Sequence, residues 1–239
     1  MFIFVFDVDG TLTPTKEKID TDFRLFFENF CKNNKVYIVT GSEYEVSEDQ
    51  LGKNIINNLE GFFPCSGNEF YQKNRKIYTN KFELTYHEKD IIETFLNRSL
   101  FPTRTGMHFE KRNGLVNFSV VGRNATKRQR EEYIAWDKRT GERLYLVKKI
   151  RSLLRRLDCS IAGDTGIDIY LNGNDKGQIY PFIVEDDKQI VFFGDKCGEY
   201  ENDYPLAILA DHCYHVKSWQ ETEMILRTNY SILNKSSSN

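Results

Sequence analysis

The apolar positions of this chain recur at two spacings, and the two alternate along its length. Phe2 to Phe6 is an unbroken apolar run rich in β-formers, the pattern of a strand buried on both faces inside a parallel sheet. Between Lys16 and Asn33, residues Ile19, Phe23, Phe26, Phe27 and Phe30 fall at helical spacing and predict a core-facing helix. Lys35 to Thr40 is a second buried strand, a second helix is expected over about 43 to 59, and a further strand around Phe62. Near the far end, Gln189 to Phe193 repeats the buried-strand pattern, Leu206 to Ala210 continues in helix, and Cys213 to Lys217 is expected as the last strand. Strands alternating with helices predict a parallel sheet.

From about residue 82 the pattern changes. A helix near 87 to 98 is followed by strict alternation over 107 to 123, with Asn117, Ser119 and Arg123 on one face and Val116, Phe118 and Val120 on the other. A strongly basic helical stretch runs from Lys127 to Arg156. Ile161 to Asn172 alternates again, with Asp164, Asp168 and Tyr170 on one face and Thr165, Ile167, Ile169 and Leu171 on the other. Two half-polar strands flanking helices predict a small α+β insertion, residues 82–172, closing over a first domain formed by 1–81 and 173–239. The tail, Lys235 to Asn239, reads as disordered.

At 239 residues the chain is long enough for a domain carrying a second, inserted one. A net charge of -2 implies no bulk attraction to nucleic acid or to a membrane. The five cysteines form no Cys-x-x-Cys pair, which points to reduced thiols in a cytosolic protein. The N-terminal apolar run lacks the length and basic flank of a signal peptide, and no stretch approaches the ~20 apolar residues of a membrane helix. His212, Cys213 and His215 lack further ligands, so no metal is expected there.

The candidate chemistry starts where the first strand ends, at Asp7-Val8-Asp9-Gly10-Thr11. Residues two apart on a strand point the same way, so both carboxylates can face one spot beyond its C-terminal end, and Gly10 lets the backbone turn away. The carboxyl edge of an open α/β sheet is where such folds bind ligands. Phosphoryl transfer suits this pair: Asp7 attacks phosphorus, and Asp9 exchanges a proton with the oxygen that leaves or arrives. At the end of the second strand, Thr40 or Ser42 offers a hydroxyl to a phosphoryl oxygen.

Asp7-x-Asp9-Gly10-Thr11 resembles the first motif of the haloacid dehalogenase-like phosphotransferases. That resemblance makes Asp7 the nucleophile, Asp9 the general acid/base and Thr40 or Ser42 the second motif. Lys176 matches the third motif, and Gly194-Asp195 with Asn202-Asp203 the fourth. The resemblance implies Mg2+ bound through Asp7, the backbone carbonyl of Asp9, Asp195 and Asp203, and a Rossmann-like parallel core with an inserted cap. Charge arithmetic agrees. The carboxylates of Asp7, Asp9, Asp195 and Asp203 and a phosphate of about -2 would repel one another without a cation beside Lys176.

The insertion narrows the family. Arg112-Asn113-Gly114-x-x-Asn117-x-Ser119-x-x-Gly122-Arg123, with Arg130 seven residues on, resembles the cap of eukaryotic-type phosphomannomutases. Forked guanidinium donors grip phosphate without titrating. The resemblance implies interconversion of mannose 6-phosphate and mannose 1-phosphate through a hexose 1,6-bisphosphate, with Arg112, Asn117, Arg123, Arg130 and Asp168 holding the distal end, and a homodimer through the cap. Two positions depart from the family pattern: Gly166 replaces a serine in Gly-Gln-x-Ser-x-Asp, where Asp164 adds a carboxylate, and Asn174 replaces a tryptophan. A plain sugar phosphatase is the second expectation, and nucleic-acid binding by the basic stretch a third.

Overall fold

A computed structural model of the chain describes residues 1–230, so the tail from Lys235 lies outside the described residues. Strand β1 (Phe2–Phe6) lies inside the larger sheet with a strand paired on each edge, as its unbroken apolar run requires. Alternate residues go to opposite sides: Phe4 and Phe6 join one core cluster with Phe23, Phe27 and Phe30, whereas Ile3 and Val5 join another with Tyr37 and Phe192. Each such aromatic or aliphatic side chain contributes about 1.5–3 kcal/mol by leaving water.

Helix α1 (Thr21–Asn33) begins later than its periodicity suggests. Asp20 caps it, accepting from the amides of Asp22 and Phe23, and Lys16 takes a left-handed φ of 60° that no helix admits. Strand β2 (Lys35–Val39) follows. The helix expected over 43 to 59 is broken at Gly52 into α2 (Tyr44–Leu51) and α3 (Lys53–Asn57), the glycine standing at φ 85°. Strand β3 (Gly61–Phe63) is then extended by a hairpin that the apolar pattern does not announce, β4 (Glu69–Gln72) and β5 (Arg75–Thr79). Its two-residue turn, Lys73-Asn74, has positive φ at both positions, the hairpin geometry that matches strand twist.

After α4 (Tyr86–Arg98) come β6 (Phe109–Arg112) and β7 (Leu115–Phe118), so the alternating stretch 107 to 123 is a hairpin turning at Asn113-Gly114. The basic stretch divides at Gly141 (φ 66°) into α5 (Lys127–Thr140) and α6 (Glu142–Leu153). Residues 161 to 172, expected as one strand, belong to two: β8 (Leu157–Ala162) and β9 (Gly166–Leu171). Asp164 therefore lies exposed in the turn and does not share a strand face with Asp168. The remaining elements are α7 (Tyr180–Ile183), β10 (Gln189–Gly194), α8 (Tyr204–Ala207), β11 (His212–His215) and α9 (Trp219–Ile225).

The larger sheet runs β11-β10-β1-β2-β3-β4-β5, parallel from β11 to β3 and antiparallel through β4 and β5. The smaller is antiparallel, in the order β6-β7-β9-β8, and has its own core around Phe118, Tyr133, Val147, Ile150, Ile167 and Ile169. Its polar face is not solvated: Asn117, Ser119, Ser160 and Asp168 are all buried. That face covers the C-terminal edge of the larger sheet. Among the described residues, no helix is long and apolar enough to cross a membrane.

Candidate active site

Asp7 follows directly on β1, its amide donating to the Phe193 carbonyl of β10 at 2.9 Å. Asp195 and Asp203 come from the segment after β10. The three carboxylates bring one oxygen each to within 4.8 Å of one another. This close approach depends on glycine. A Cβ on Gly10, at φ 86°, would stand 2.7 Å from Asp195 Oδ2, so only glycine lets the turn after β1 pass the Asp195 carboxylate.

Lys176, at the start of a short 3-10 turn, is buried between two of these carboxylates, with Nζ 2.5 Å from Asp7 Oδ1 and 2.6 Å from Asp203 Oδ1. Burial disfavours its ammonium, but the charges of Asp203 and Asp7 outweigh that and hold its pKa above the ordinary lysine value. Burial pushes the Asp7 carboxyl well above its usual range against the pull of Lys176. Burial, then the Asp203 charge, raises Asp195 to about 6, with Lys196 Nζ 2.8 Å away opposing the rise.

Asp9 points elsewhere. Its Oδ1 accepts from the Lys16 amide at 2.6 Å and from Gln50 Nε2 at 2.9 Å, and Oδ2 accepts from Ser42 Oγ at 3.3 Å. Its carboxylate stands outside the three-carboxylate group, leaving the backbone carbonyl as the atom it could lend to a metal. Thr40 is buried and its hydroxyl accepts from the Ser42 amide at 3.2 Å. Both hydroxyl residues line the same cavity as Asp7 and Asp9.

That cavity has a volume of about 640 Å³, and its opposite wall comes from the smaller sheet and α5. There Arg112 donates to the Gly41 carbonyl at 2.9 Å and pairs with Glu110 at 3.1 Å; Arg123 also pairs with Glu110. Arg130 is held by the carbonyls of Arg123 and Ala125 and makes no ion pair among the described residues. Lys16 joins them, its pKa lowered by burial and by the nearby Arg123, Arg130 and Arg112. These four cations surround Glu110 and Asp168 on a wall that also carries Lys127, Glu131 and Asp164, so what it offers a phosphate is a set of forked guanidinium donors rather than a large net charge.

Asn117 and Asp168, opposite each other on β7 and β9, share a hydrogen bond of 2.7 Å, while Asn117 Oδ1 and Asp168 Oδ2 remain buried without a partner. Both residues line the cavity, so these oxygens are placed to accept from what enters it. Gly166 is tied to this arrangement, because a Cβ there would stand 2.5 Å from Asn117 Nδ2. A serine in its place would displace the Asn117 amide. Asp164 lines the cavity from its turn.

Lys16, Gln50 and Glu110 were not singled out by motif spacing, whereas Lys196 closes the Phe-Phe-Gly-Asp-Lys run of 192 to 196. Lys16 read as the first residue of a helix; only its left-handed backbone turns it into the cavity wall. Lys196 changes the charge count. Asp7, Asp9, Asp195 and Asp203 carry -4, Lys176 and Lys196 return +2, and the remainder of -2 meets a phosphate of about -2. Hard carboxylate oxygens this few and this close suit Mg2+, which binds through one or two carboxylates and substrate oxygens.

An acidic pocket at the carboxyl edge of a parallel sheet, beneath a separate antiparallel layer, is the architecture of the haloacid dehalogenase-type phosphotransferases. A HAD subclass IIB sugar phosphatase superposes with a TM-score of 0.56 at 14% identity, covering 95% of this chain and 98% of that one. An IMP-nucleotidase from Plasmodium falciparum gives 0.59 at 15%, covering 95% of this chain and 67% of that one. The eukaryotic phosphomannomutase family matches residues 23–232. The phosphomannomutase of Spinacia oleracea is 32% identical over 213 residues, 85% of each chain. That of Saccharomyces cerevisiae is 29% identical over 240 residues, 96% of this chain and 94% of its own. The chain belongs to the eukaryotic phosphomannomutase family and is an enzyme of that type.

Proposed function

We propose that this enzyme interconverts mannose 6-phosphate and mannose 1-phosphate through an aspartyl-phosphate on Asp7 and a hexose 1,6-bisphosphate. The observation that carries this reading is a single cavity with two anion sites, acidic residues with Lys176 at one wall and a cationic cluster at the other. A mutase must hold a bisphosphate by one end while the other reacts; a phosphatase has no such need. The reading treats 1–81 and 173–239 as the catalytic core and 82–172 as its cap.

In this scheme Lys176 holds Asp7 in place and offsets charge as a phosphoryl group arrives. Asp7 Oδ attacks phosphorus, and Asp9, fixed by Gln50 and the Lys16 amide, gives its proton to the departing sugar oxygen. Thr40 and Ser42 offer hydroxyls to the phosphoryl oxygens. Arg112, Arg123, Arg130 and Lys16 grip the distal phosphate, and Asn117 and Asp168 accept sugar hydroxyls. Asp7, Asp195, Asp203 and the Asp9 carbonyl would hold Mg2+, which supplies Lewis-acid polarisation of the phosphoryl group. The dimer through the cap is part of the same proposal, supported by exposed Leu144, Tyr145 and Leu153 on α6, as is a cytoplasmic location.

A sugar phosphatase is the second reading, favoured by Gly166, which removes a hydroxyl from the cap wall. Incubation with mannose 1-phosphate and catalytic glucose 1,6-bisphosphate separates the two. The expected result is the 6-phosphate isomer; stoichiometric free phosphate without isomer overturns the mutase. Chelation by EDTA is expected to lower turnover by about a hundredfold or more, with recovery on adding Mg2+. Turnover indifferent to EDTA would remove the metal from the scheme.

A further inference from the structure

Two joints hold the cap layer against the core: a backbone bridge of Ile161 to Tyr200 and Asn202, and a cluster built around one buried amide. Asn68 is fully buried just before β4, and all of its side-chain hydrogen-bonding capacity is used. Nδ2 donates to the carbonyls of Cys65 (2.9 Å) and Asn174 (3.1 Å), and Oδ1 accepts from the amides of Asn80 (3.1 Å) and Asn174 (3.0 Å). Asn80 and Asn174 flank the two points where the chain passes between the sheets, so one side chain ties both crossings. The β6–β7 turn is laid directly on it: a Cβ on Gly114 would stand 2.3 Å from Asn68 Cβ. The next residues continue the joint. Asn113 Nδ2 donates to buried Glu69 Oε1 at 3.0 Å, and Cys65 packs with Leu115 and Tyr170. Arg112, immediately before this turn, reaches the Gly41 carbonyl at the edge of the cavity.

We propose that Asn68 and Glu69 are positioning residues, a latch that registers the β6–β7 turn and thereby holds Arg112 over the cavity while water is excluded. The inference rests on the mutase reading above. A latched cap retains the bisphosphate until its second end is transferred. An unlatched one releases it and admits water, which attacks phosphorus of the aspartyl-phosphate, breaks its bond to Asp7 and leaves as inorganic phosphate. Latch strength would then set the partition between isomer and free phosphate.

Asn113→Ala tests this, because it removes one arm of the latch from an exposed turn that leaves both cores intact. With mannose 1-phosphate and glucose 1,6-bisphosphate, its ratio of free phosphate to isomer is expected to rise about tenfold, the equivalent of one lost hydrogen bond to a charged group. Acetyl phosphate forms the same aspartyl-phosphate with no distal phosphate, so water release from it should also be faster in Asn113→Ala. Glu69→Gln keeps an acceptor but neutralises the carboxylate that also pairs with Lys76 at 2.7 Å, so its ratio should fall between the parent's and that of Asn113→Ala, and Glu69→Ala should at least match Asn113→Ala. Small-angle scattering supplies a second readout, with a larger radius of gyration for Asn113→Ala. If the parent isomerises but Asn113→Ala matches it in both ratio and radius, the latch is overturned and the function stands. If the parent yields free phosphate alone, the mutase reading falls. The radius then decides the latch: expansion supports it, and no change overturns it.

Discussion

Asp7→Asn is expected to lower turnover by about 10⁴-fold or more and to abolish the trappable phosphoenzyme, while leaving the chain folded. The substitution is nearly isosteric. An asparagine oxygen can still accept from Lys176, which keeps its ion pair with Asp203 at 2.6 Å, so no buried charge is stranded. What disappears is the nucleophilic oxygen at the end of β1. Steady-state rates and acid-quenched phosphoenzyme measure the effect, and circular dichroism checks the fold. Turnover close to the parent would remove Asp7 from the nucleophile's role.

Lys176→Met is expected to act on stability as well as on rate. It deletes the one cation buried between Asp7 and Asp203, whose carboxylates are almost entirely inaccessible to water. Breaking such a pair from one side costs about 3–5 kcal/mol, because the charges left behind are unpaired. In a chain of this size that corresponds to roughly 6–20 °C in Tm. Mg2+ binding to the folded state adds stability by mass action, so it should raise the Tm of Lys176→Met more than that of the parent. A Tm within about 2 °C of the parent would mean that the lysine does not neutralise the two carboxylates.

The sequence made some of this plain and left some of it hidden, for physical reasons. Strands β1, β2 and β10 read as mostly apolar runs rich in β-formers because both faces are covered. Asp7 and Asp195 were placed by their position after such runs and Lys176 and Asp203 by family resemblance, and the four side chains meet at one spot. Turns were less legible. A period of two continues straight through a tight hairpin, so residues 107 to 123 and 161 to 172 looked like single strands. The polar faces of β7 and β9, expected on an insertion closing over the first domain, are buried and line the cavity. Lys16 and Glu69 were silent because neither belongs to a local pattern. One is turned by its own backbone, and the other is read only from across the interface.

The order of strands in the larger sheet has a consequence for how the protein is made. Phe2 pairs with Gln189 across β1 and β10, whereas every pairing in the smaller sheet lies within residues 109–171. On a ribosome adding about 5–20 residues each second, β1 therefore emerges roughly 10–40 s before its C-terminal neighbour exists. The insertion can fold in that interval. The first strand, five mostly apolar residues with one unpaired edge, must meanwhile be shielded from other nascent chains.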